Sequence, residues 1–328
     1  MENAFKIKTI LITGGAGFIG SNLCEHFLAK GYKVKVLDNF STGFHHNIHD
    51  FHTNPNFSLI EGDIRDLESC REAVSDVNYV LHQAALGSVP RSINDPITSN
   101  DVNVSGFLNM LIASRDANVK RFVYAASSST YGDSNSLPKV EDVIGKPLSP
   151  YAITKYVNEL YADVFSKTYG LECVGLRYFN VFGRRQNPTG AYAAVIPKFT
   201  IQLMKHESPI INGTGAYSRD FTYIDNVIQM NERAMLTADV KAINTVYNTA
   251  VGDQTSLNQL VSILKSLLTN YDEAIQNVDV KYGESRVGDI PHSLASIDKA
   301  KTLLGYEPTH KLEDGLKEAV QWYWYNLK

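Results

Sequence analysis

A glycine-rich loop joins the first apolar run of the chain to its first helical pattern. In "ITGGAGFIGSN" (12–22), Gly15, Gly17 and Gly20 satisfy GxGxxG, while Gly14, Gly17 and Gly20 satisfy GxxGxxG. Glycines at this spacing permit a tight turn and let backbone N–H groups approach a pyrophosphate at the start of a helix. The motif alone is weak evidence, but here a strand pattern precedes it and a helix pattern follows, which favours a dinucleotide-binding loop.

The first half of the chain alternates short β-rich runs with helical patterns. The predicted strands cover residues 9–14, 33–39, 57–63, 79–85 and 121–128, and the predicted helices cover 21–31, 66–76 and 103–119. The strand runs are almost continuously apolar, as expected of strands that are buried on both faces of a parallel sheet. This alternation predicts an α/β fold, a doubly wound parallel sheet of the Rossmann type.

The regular alternation stops in the second half of the chain. A long helix is predicted at 151–169 and a strand at 173–179, but the segments that follow are loop-rich, at 182–197, 212–221 and 282–293. We therefore expect a Rossmann domain at 1–180 and a smaller C-terminal substrate-binding lobe at 181–328, between which the chain can cross.

Composition excludes several classes of protein. The 328 residues are 44% hydrophobic and 20% charged, with a formal net charge of −4, which is typical of a globular protein that binds neither nucleic acid nor membranes. Cys24, Cys70 and Cys173 lie far apart without a CxxC motif, so we expect no disulfide framework and a reducing compartment, the cytoplasm. The histidines of "HHNIHDFH" (45–52) have no cysteine or carboxylate cluster beside them, and we expect no metal site.

Polar and small residues at the predicted strand ends indicate how a dinucleotide would bind. Asp38 ends the second strand, where a carboxylate accepts hydrogen bonds from the adenosine ribose, and no Lys or Arg follows in "LDNFSTG" to bind a 2′-phosphate. NAD is therefore favoured over NADP. The predicted cofactor-binding residues in the loop and at the strand ends are Gly14, Gly17, Phe18, Ile19, Gly20, Asp38, Asn39, Asp63, Ile64, Gln83, Ala84 and Ala85.

A second pattern points to proton transfer. In "SPYAITKY" (149–156), Tyr151 and Lys155 lie one helical turn apart and therefore share a face. An ordinary surface helix would explain this pair, but Ser127 and Ser128 also lie at the end of a predicted strand. An ammonium group stabilises a phenolate, so we expect Lys155 to lower the pKa of Tyr151 and to make it a proton acceptor.

The glycine loop, the serines and the YxxxK pair together resemble the extended branch of the short-chain dehydrogenase/reductase superfamily, along essentially the whole chain. "LRYFNVFG" (176–183) and "SRDFTYIDN" (218–226) resemble its nucleotide-sugar-modifying members. The resemblance implies bound NAD, with Lys155 and Tyr151 also contacting it, and a homodimer formed through the helices at 103–119 and 151–169. It further implies a catalytic Ser127 with Ser128 beside it, Asn103 beneath the active site, and Tyr178 and Asn180 as cofactor- and substrate-contacting residues.

The resemblance also bears on the reaction. The 4,6-dehydratases carry an Asp-Glu pair after this serine or threonine and UDP-glucuronate decarboxylases carry a Glu, whereas this chain reads "SSSTYG" (127–132). The missing carboxylate favours a C4 epimerase. The resemblance implies that Tyr151 removes the C4-hydroxyl proton while hydride passes to NAD, that Ser127 hydrogen-bonds the same oxygen, and that the 4-keto sugar turns over before the steps reverse.

Further residues are assigned to substrate by the same resemblance, which is nearest to the bacterial UDP-N-acetylglucosamine 4-epimerases. UDP-galactose 4-epimerases carry a bulky Tyr in place of Ser293, and a serine leaves room for an N-acetyl group. We therefore expect interconversion of UDP-GlcNAc and UDP-GalNAc. Arg219 and Arg286 are expected to hold the diphosphate and Asp289 the uridine ribose. The remaining expected substrate contacts are Gly87, Ser88, Asn180, Ala194, Val195 and Asn212.

Four alternatives stay open. Arg91 would suit a C6 carboxylate, so UDP-GlcNAcA and UDP-GalNAcA are alternative substrates, as are UDP-glucose and UDP-galactose. A net oxidoreductase or dehydratase would release a 4-keto product, against which the missing carboxylates argue. A non-catalytic NAD-binding regulator would be expected to have lost Tyr151 or Lys155, and both are present.

Overall fold

The computed structural model of the protein describes residues 7–188, 194–284 and 291–327. The strands in chain order are β1 (Thr9–Thr13), β2 (Lys33–Asp38), β3 (Phe57–Glu61), β4 (Tyr79–His82), β5 (Arg121–Ser127), β6 (Cys173–Tyr178), β7 (Val181–Phe182), β8 (Ile210–Asn212), β9 (Ser218–Arg219), β10 (Thr222–Tyr223), β11 (Thr245–Thr249), β12 (Thr255–Ser256) and β13 (Lys281–Gly283).

Helices connect most of these strands. They are α1 (Phe18–Ala29), α2 (Leu67–Val74), α3 (Val89–Asn94), α4 (Pro96–Asn100), α5 (Gly106–Asp116), α6 (Pro150–Tyr169), α7 (Val195–Met204), α8 (Ile224–Leu236), α9 (Leu257–Thr269), α10 (Asp298–Leu304) and α11 (Leu312–Asn326). A π-helical turn precedes α5, at Asp101–Ser105. Short 3₁₀ turns lie at His45–Asn47, His49–Thr53, Ser128–Tyr131, Val240–Ala242 and Glu273–Asn277.

A seven-stranded parallel sheet forms the centre of the molecule, in the order β11-β6-β5-β4-β1-β2-β3. Two hydrophobic clusters cover its two faces. One contains Leu23 and Phe27 of α1 with Met230 of α8, and the other contains Met110 of α5 and Phe165 of α6. The predicted doubly wound α/β fold is therefore confirmed.

All strands of the sheet run in the same direction, so their carboxyl ends form one edge. That edge receives the loop after β1, Asp38 at the end of β2, and Ser127 at the end of β5. The order of the strands reverses on either side of β1, and ligands of open α/β sheets bind at such a point. The edge is therefore where a functional site is expected.

The second half of the chain contributes to both parts of the molecule. β11 comes from this half, yet it pairs with β6 in the central sheet. The remaining strands form three small pairs, β7 with β10, β9 with β12, and β8 with β13. The chain thus crosses between the sheet and the smaller part, and the division near residue 180 stays a prediction.

Some predicted elements differ from the observed ones. The predicted helix at 103–119 is interrupted, because its first residues form the π-helical turn and regular helix begins only at Gly106. The histidine segment after β2, for which no helix or strand was predicted, forms two 3₁₀ turns. The first helix begins at Phe18, three residues earlier than predicted, and its N-cap is Gly17.

Candidate active site

The glycine loop between β1 and α1 forms a close-packed backbone turn. Gly14 has a φ of 69°, and a Cβ on it would lie 2.8 Å from the backbone nitrogen of Ala84. A Cβ on Gly20 would lie 2.1 Å from the carbonyl oxygen of Gly14. These two positions therefore exclude any larger residue, and the loop presents bare backbone to the cleft beside it.

The cleft beside this loop has a volume of about 320 Å³. Every cofactor-binding residue that was predicted in the loop and at the strand ends lines it, together with Gly87: Gly14, Gly17, Phe18, Ile19, Gly20, Asp38, Asn39, Asp63, Ile64, Gln83, Ala84 and Ala85. The cleft combines a glycine cradle at a helix start with a carboxylate at the end of the next strand. These groups fit the pyrophosphate and ribose of a dinucleotide.

Asp38 is held in place by backbone donors. Its Oδ2 accepts a hydrogen bond from the Ala16 nitrogen at 2.9 Å and its Oδ1 accepts one from the Phe40 nitrogen at 2.8 Å. Burial raises the pKa of this carboxyl group, and the two hydrogen bonds and nearby His45 oppose the rise. The sequence analysis did not place His45 near Asp38; its ring stacks on Phe40 with centroids 3.7 Å apart.

Two lining residues of the cleft, Asp63 and Gln83, are each held by hydrogen bonds from neighbouring side chains. Asn39 donates to Asp63 Oδ2 at 2.8 Å, and Arg65 pairs with the same carboxylate at 2.7 Å and lowers its pKa to about 2. Tyr178 donates to Gln83 Oε1 at 3.0 Å and accepts from Asn231 at 2.9 Å. Burial raises the pKa of Tyr178 to about 12, so this hydroxyl stays protonated and orients Gln83.

The three proposed catalytic residues come from two adjacent elements. Ser127 ends β5, while Tyr151 and Lys155 lie on the first turns of α6, whose N-cap is Ser149. The Lys155 ammonium donates to the carbonyl oxygen of Ala125 in β5 at 2.8 Å. The Ser127 side chain lies close enough to the Tyr151 hydroxyl to lower the pKa of that phenol. The arrangement can move a proton to or from a group bound beside Tyr151.

The pKa of Tyr151 differs from the sequence-based expectation. Burial raises the pKa of Tyr151 above its ordinary value, and the nearby Ser127 side chain opposes the rise. Burial also lowers the pKa of Lys155 to about 8. The prediction that Lys155 lowers the pKa of Tyr151 was therefore wrong for this structure, because desolvation of the phenolate is the largest contribution.

Asn103 connects the catalytic helix to the loop after β4. Its Oδ1 accepts from the Leu86 nitrogen at 2.8 Å, and its amide donates to the Leu86 carbonyl and to Thr154 Oγ1, each at 3.2 Å. Thr154 in turn donates to the carbonyl of Tyr151 at 2.8 Å. The π-helical turn thus places Asn103 between Leu86, which lines the cofactor cleft, and Thr154 on the catalytic helix.

Short α3 lies against the start of α6. Ser88 is its N-cap and accepts from the Arg91 nitrogen at 3.2 Å. The hydroxyl of buried Ser92 accepts from the backbone nitrogen of Tyr151 at 3.0 Å. Ser92 was not among the predicted site residues, because it stands in no motif. Ser128, a proposed substrate contact, begins the 3₁₀ turn that follows Ser127.

Proposed substrate residues of the second half come together around β9. Arg219 lies in β9 and donates to the carbonyls of Ser218 and Pro291, at 2.9 and 3.3 Å. The backbone nitrogen of Ser293 donates to the Ser218 carbonyl at 3.1 Å, which places this half-buried serine next to the same strand. Residues 219 and 293 are therefore neighbours although 74 positions separate them.

The other proposed substrate residues lie at element ends. Asn180 is exposed, has a φ of 34°, and donates to the Asp220 carbonyl at 3.0 Å. Ala194 is the N-cap of α7 and Val195 its first residue, while Asn212 ends β8. Arg286 and Asp289 lie outside the described residues.

One cluster in the described part of the chain could hold a metal ion, and the sequence analysis did not identify it. It comprises Asp225, His310 and Glu318. These groups already have protein partners, since Arg184 pairs with Asp225 at 2.9 Å and His310 lies 3.0 Å from Glu318. Within the described ranges, no helix is long and apolar enough to cross a membrane.

Comparisons with known proteins match nearly the full length of the chain. The model of the NAD dependent epimerase/dehydratase family matches residues 10–250. The solved UDP-N-acetylglucosamine 4-epimerase of Methanobrevibacter ruminantium M1, in complex with UDP-N-acetylmuramic acid, is 38% identical with a TM-score of 0.90, over 98% of this chain and 99% of that one.

Two further relatives differ in the sugar that their names specify. The UDP-glucose 4-epimerase of Thermotoga maritima, solved with UDP-glucose, is 36% identical with a TM-score of 0.89, over 98% of this chain and all of that one. The UDP-glucuronate 4-epimerase of Thermodesulfobacterium geofontis is 32% identical over 95% of each chain. The three proteins share 4-epimerisation of a UDP-sugar, with different groups at C2 and C6.

Proposed function

This chain belongs to the NAD dependent epimerase/dehydratase family and is an NAD-dependent UDP-sugar 4-epimerase, and we propose that it interconverts UDP-GlcNAc and UDP-GalNAc. The observation that carries the choice of sugar is Ser293, a small side chain in the segment that is hydrogen-bonded to β9 beside Arg219. A small residue there leaves space for an N-acetyl group at C2. The UDP-N-acetylglucosamine 4-epimerase of Methanobrevibacter ruminantium supports this choice.

The proposed chemistry of the chain itself is proton transfer at the C4 oxygen. Tyr151 accepts the C4-hydroxyl proton and later returns it, while Ser127 holds the same oxygen through a hydrogen bond. Tyr151 enters this step as the phenolate, and Lys155 is the residue of α6 that we propose contacts the bound NAD. When bound, NAD supplies the hydride acceptor and donor for C4. Gly14, Gly17 and Asp38 are the residues that we propose hold this cofactor.

The surroundings of Ser127 support epimerisation over dehydration. Glu159 reaches the turn after Ser127 and accepts from Thr130 Oγ1 at 3.4 Å. Arg177 holds both oxygens of Glu159, at 2.9 and 2.7 Å, in a buried ion pair. Because a guanidinium engages both of its oxygens, we propose that Glu159 takes no proton from the sugar. The 4-keto sugar is therefore expected to be reduced again and to keep its C6 oxygen.

The 4-keto sugar must stay bound between the two half-reactions, which requires residues that bind its diphosphate. We propose that Arg219 supplies it among the described residues, because a guanidinium binds phosphate oxygens through two parallel hydrogen bonds. The carbonyls of Ser218 and Pro291 orient this arginine. Arg286 and Asp289 are proposed partners in the same role, by the resemblance stated above.

The proposed assembly and compartment follow from other features. We propose a homodimer formed through α5 and α6, because Ile153, Leu160 and Val164 form an exposed apolar stripe along α6. We propose a reducing compartment, the cytoplasm, because Cys24, Cys70 and Cys173 are buried and unpaired. UDP-GlcNAcA with UDP-GalNAcA and UDP-glucose with UDP-galactose are the alternative substrate pairs.

The test is an NMR assay of C4 epimerisation with UDP-GlcNAc, UDP-glucose and UDP-GlcNAcA in parallel, without added reductant. We expect the enzyme to convert UDP-GlcNAc most efficiently. Ser293→Tyr should reduce kcat/KM for UDP-GlcNAc by about tenfold or more while UDP-glucose changes by less than about threefold, since overpacking a pocket discriminates between sugars. Ser293→Ala is the matched control and should keep the preference.

The outcomes separate the alternatives. Conversion of UDP-glucose alone would contradict the proposed sugar but would agree with the proposed epimerisation at C4. Efficient conversion of UDP-GlcNAcA alone would favour the uronic acid pair and a role for Arg91. A released 4-keto product would contradict the epimerase assignment.

A further inference from the structure

A buried asparagine connects the turn after Ser127 to the segment that carries Ser293. Asn248 lies in β11 and is completely shielded from solvent. Its Oδ1 accepts from the Tyr131 hydroxyl at 2.6 Å, and its amide nitrogen donates to the carbonyls of Lys139 and Ser296, each at 2.9 Å. Its backbone nitrogen donates to Glu141 Oε1 at 2.9 Å. One side chain therefore joins three separate segments of the chain.

The first connection leads to the catalytic serine. Tyr131 ends the 3₁₀ turn that Ser127 caps, and the Ser127 hydroxyl accepts from the Ser129 nitrogen at 3.2 Å. Thr130 donates to the Ser127 carbonyl at 2.7 Å, so the turn from Ser127 to Tyr131 is closed by its own hydrogen bonds. Burial raises the pKa of Tyr131 to about 12, so its hydroxyl stays a donor to Asn248.

The ring of Tyr131 is also held in place, by contact with Arg177. The guanidinium of Arg177 lies over it at 4.8 Å from the centroid, and the same arginine forms the ion pair with Glu159 of α6. Glu159 lies one helical turn after Lys155. The position of Tyr131 is therefore coupled both to Ser127 and to the helix that carries Tyr151 and Lys155.

The second connection leads to the proposed sugar pocket. Lys139 pairs with Ala295 in a parallel bridge, through hydrogen bonds from the Lys139 nitrogen to the Leu294 carbonyl at 2.7 Å and from the Ser296 nitrogen to the Lys139 carbonyl at 2.9 Å. The amide of Asn248 binds the carbonyls of Lys139 and Ser296, on both sides of this bridge. Ser293 lies immediately before the bridged segment and is itself bonded to Ser218.

We propose that Asn248 is a positioning residue that sets the catalytic serine and the sugar-binding segment at 293–296 relative to each other. The proposal rests on the site proposed above, in which Ser127 binds the C4 oxygen and Ser293 borders C2. A sugar ring spans both groups, so a shift of either segment misplaces the C4 oxygen relative to Tyr151 and Ser127. A displacement of about 1 Å is enough to reduce an enzymatic rate about 100-fold.

The first connection can be cut alone or together with the second. Tyr131→Phe removes the hydroxyl, which donates to Asn248 and also interacts with Arg177, and keeps the ring beneath that guanidinium. Asn248→Ala removes both connections. We expect Tyr131→Phe to lower kcat by about tenfold with KM within about twofold, because it loosens the serine turn alone. We expect Asn248→Ala to lower kcat at least as much and also to raise KM by about fivefold or more.

The double variant of Tyr131→Phe and Asn248→Ala tests whether the Tyr131 hydroxyl acts through Asn248. Because Asn248→Ala has already removed its partner, adding Tyr131→Phe should lower kcat by less than about twofold further. A full additional tenfold loss would overturn the proposal. Unchanged kcat in Tyr131→Phe, with the expected loss of unfolding free energy, would also overturn it.

Asn226 provides a matched control for loss of a buried asparagine. It is completely buried in α8, accepts from the Thr309 nitrogen at 2.8 Å and donates to the His310 carbonyl at 2.8 Å. Asn226→Ala should lower the free energy of unfolding to a similar extent as Asn248→Ala and leave kcat and KM within about twofold. Equal kinetic losses in both variants would mean that general destabilisation explains the effect, which would overturn the proposal.

A binding measurement separates this proposal from the choice of substrate. Hydrogen–deuterium exchange with and without saturating UDP should show protection of both 291–296 and 128–131 in the wild-type enzyme. In Asn248→Ala, UDP should still protect 291–296 but no longer 128–131. Protection of both segments in the variant would overturn the proposal, whichever UDP-sugar the enzyme converts. The kinetic comparison uses the sugar of the panel that the wild-type enzyme converts fastest.

Discussion

Tyr151 is the residue on which the proposed proton transfer depends. Tyr151→Phe removes the hydroxyl and keeps the ring, so we expect kcat to fall by at least about 100-fold while the fold and NAD binding persist. The NMR assay measures conversion, and the absorbance of extracted nucleotide measures bound NAD. Tyr156→Phe, on the same helix, is the control and should retain activity. Activity near the wild-type level in Tyr151→Phe would contradict the mechanism.

Lys155 is expected to destabilise the fold at neutral pH. Burial lowers its pKa from 10.5 to about 8, which corresponds to a cost of roughly 3 kcal/mol for holding the charged form in the folded protein. Between these two pH values the unfolded chain binds more protons than the folded one, so the stability of the wild-type protein rises with pH. This contribution is absent when position 155 carries an uncharged side chain.

Lys155→Met tests whether the buried lysine makes the stability of the protein rise with pH. We expect the wild-type protein to gain of order 3 kcal/mol of unfolding free energy relative to Lys155→Met between pH 7.5 and 10.5. Urea denaturation of the nucleotide-free proteins at several pH values measures the difference. The lost hydrogen bond to Ala125 shifts the whole curve of the variant without changing its dependence on pH. Identical pH dependence in the two proteins would contradict the assignment of a buried, charged lysine.

Helix α6 carries the catalytic pair and is anchored to β6 by the buried ion pair of Glu159 and Arg177. The side chains are 7% and 3% exposed, and Arg177 also donates to the Glu141 carbonyl at 2.8 Å. Removing one partner leaves an uncompensated buried charge, so Glu159→Leu should cost about 3–5 kcal/mol of unfolding free energy. Urea denaturation at pH 7 measures this loss.

Two further variants test whether the loss of stability comes from a buried, unpaired charge. Asp163→Asn breaks the exposed pair with Lys167 on the same helix and should cost less than about 1 kcal/mol. Replacing both Glu159 and Arg177 by leucine should recover part of the loss, because no charge then stays buried alone. If the double variant is less stable than Glu159→Leu, the uncompensated charge is not the cause.

The elements of the first half could be predicted from sequence because their signals are local. The apolar runs identified β1 to β5, and Asp38, Ser127 and Tyr151 were identified because each lies at a strand end or on a helix start. Helices α7, α8 and α9 were missed, because the polar loops around them obscured the helical pattern in the second half. Their apolar faces became evident only in the structure, where α8 packs on the central sheet and α7 packs against α9.

The contacts that the sequence analysis missed join distant parts of the chain. Asn231 orients Tyr178 from 53 positions away, and Asn248 holds Tyr131 from 117 positions away. Neither asparagine stands in a motif, and a buried hydrogen bond between distant residues leaves no periodic signal. The pKa of Tyr151 was mispredicted for the same reason, since desolvation depends on everything that packs around the side chain.

At the scale of the whole molecule, α6 presents an apolar face to the outside. Ile153, Leu160 and Val164 follow a spacing of seven and four residues, so they lie along one side of the helix, and Val157 lies between them. Half-buried Leu108 and Ile112 of α5 continue the apolar surface. A surface of this kind is characteristic of an interface, and a two-fold axis would pack α5 and α6 against the same helices of a second copy.

Leu160→Glu should separate the proposed dimer. The wild-type protein is expected to have twice the chain mass of 36.5 kDa by light scattering, and the variant to have the mass of one chain, because the new charges would face each other across the axis. Leu160 is 49% exposed within one chain, so the fold of the monomer should persist in circular dichroism. Val240→Glu, at a valine that is 78% exposed in a 3₁₀ turn, is the matched control and should stay dimeric. A dimer that survives Leu160→Glu would place the interface elsewhere, and a monomeric wild-type protein would contradict the dimer itself.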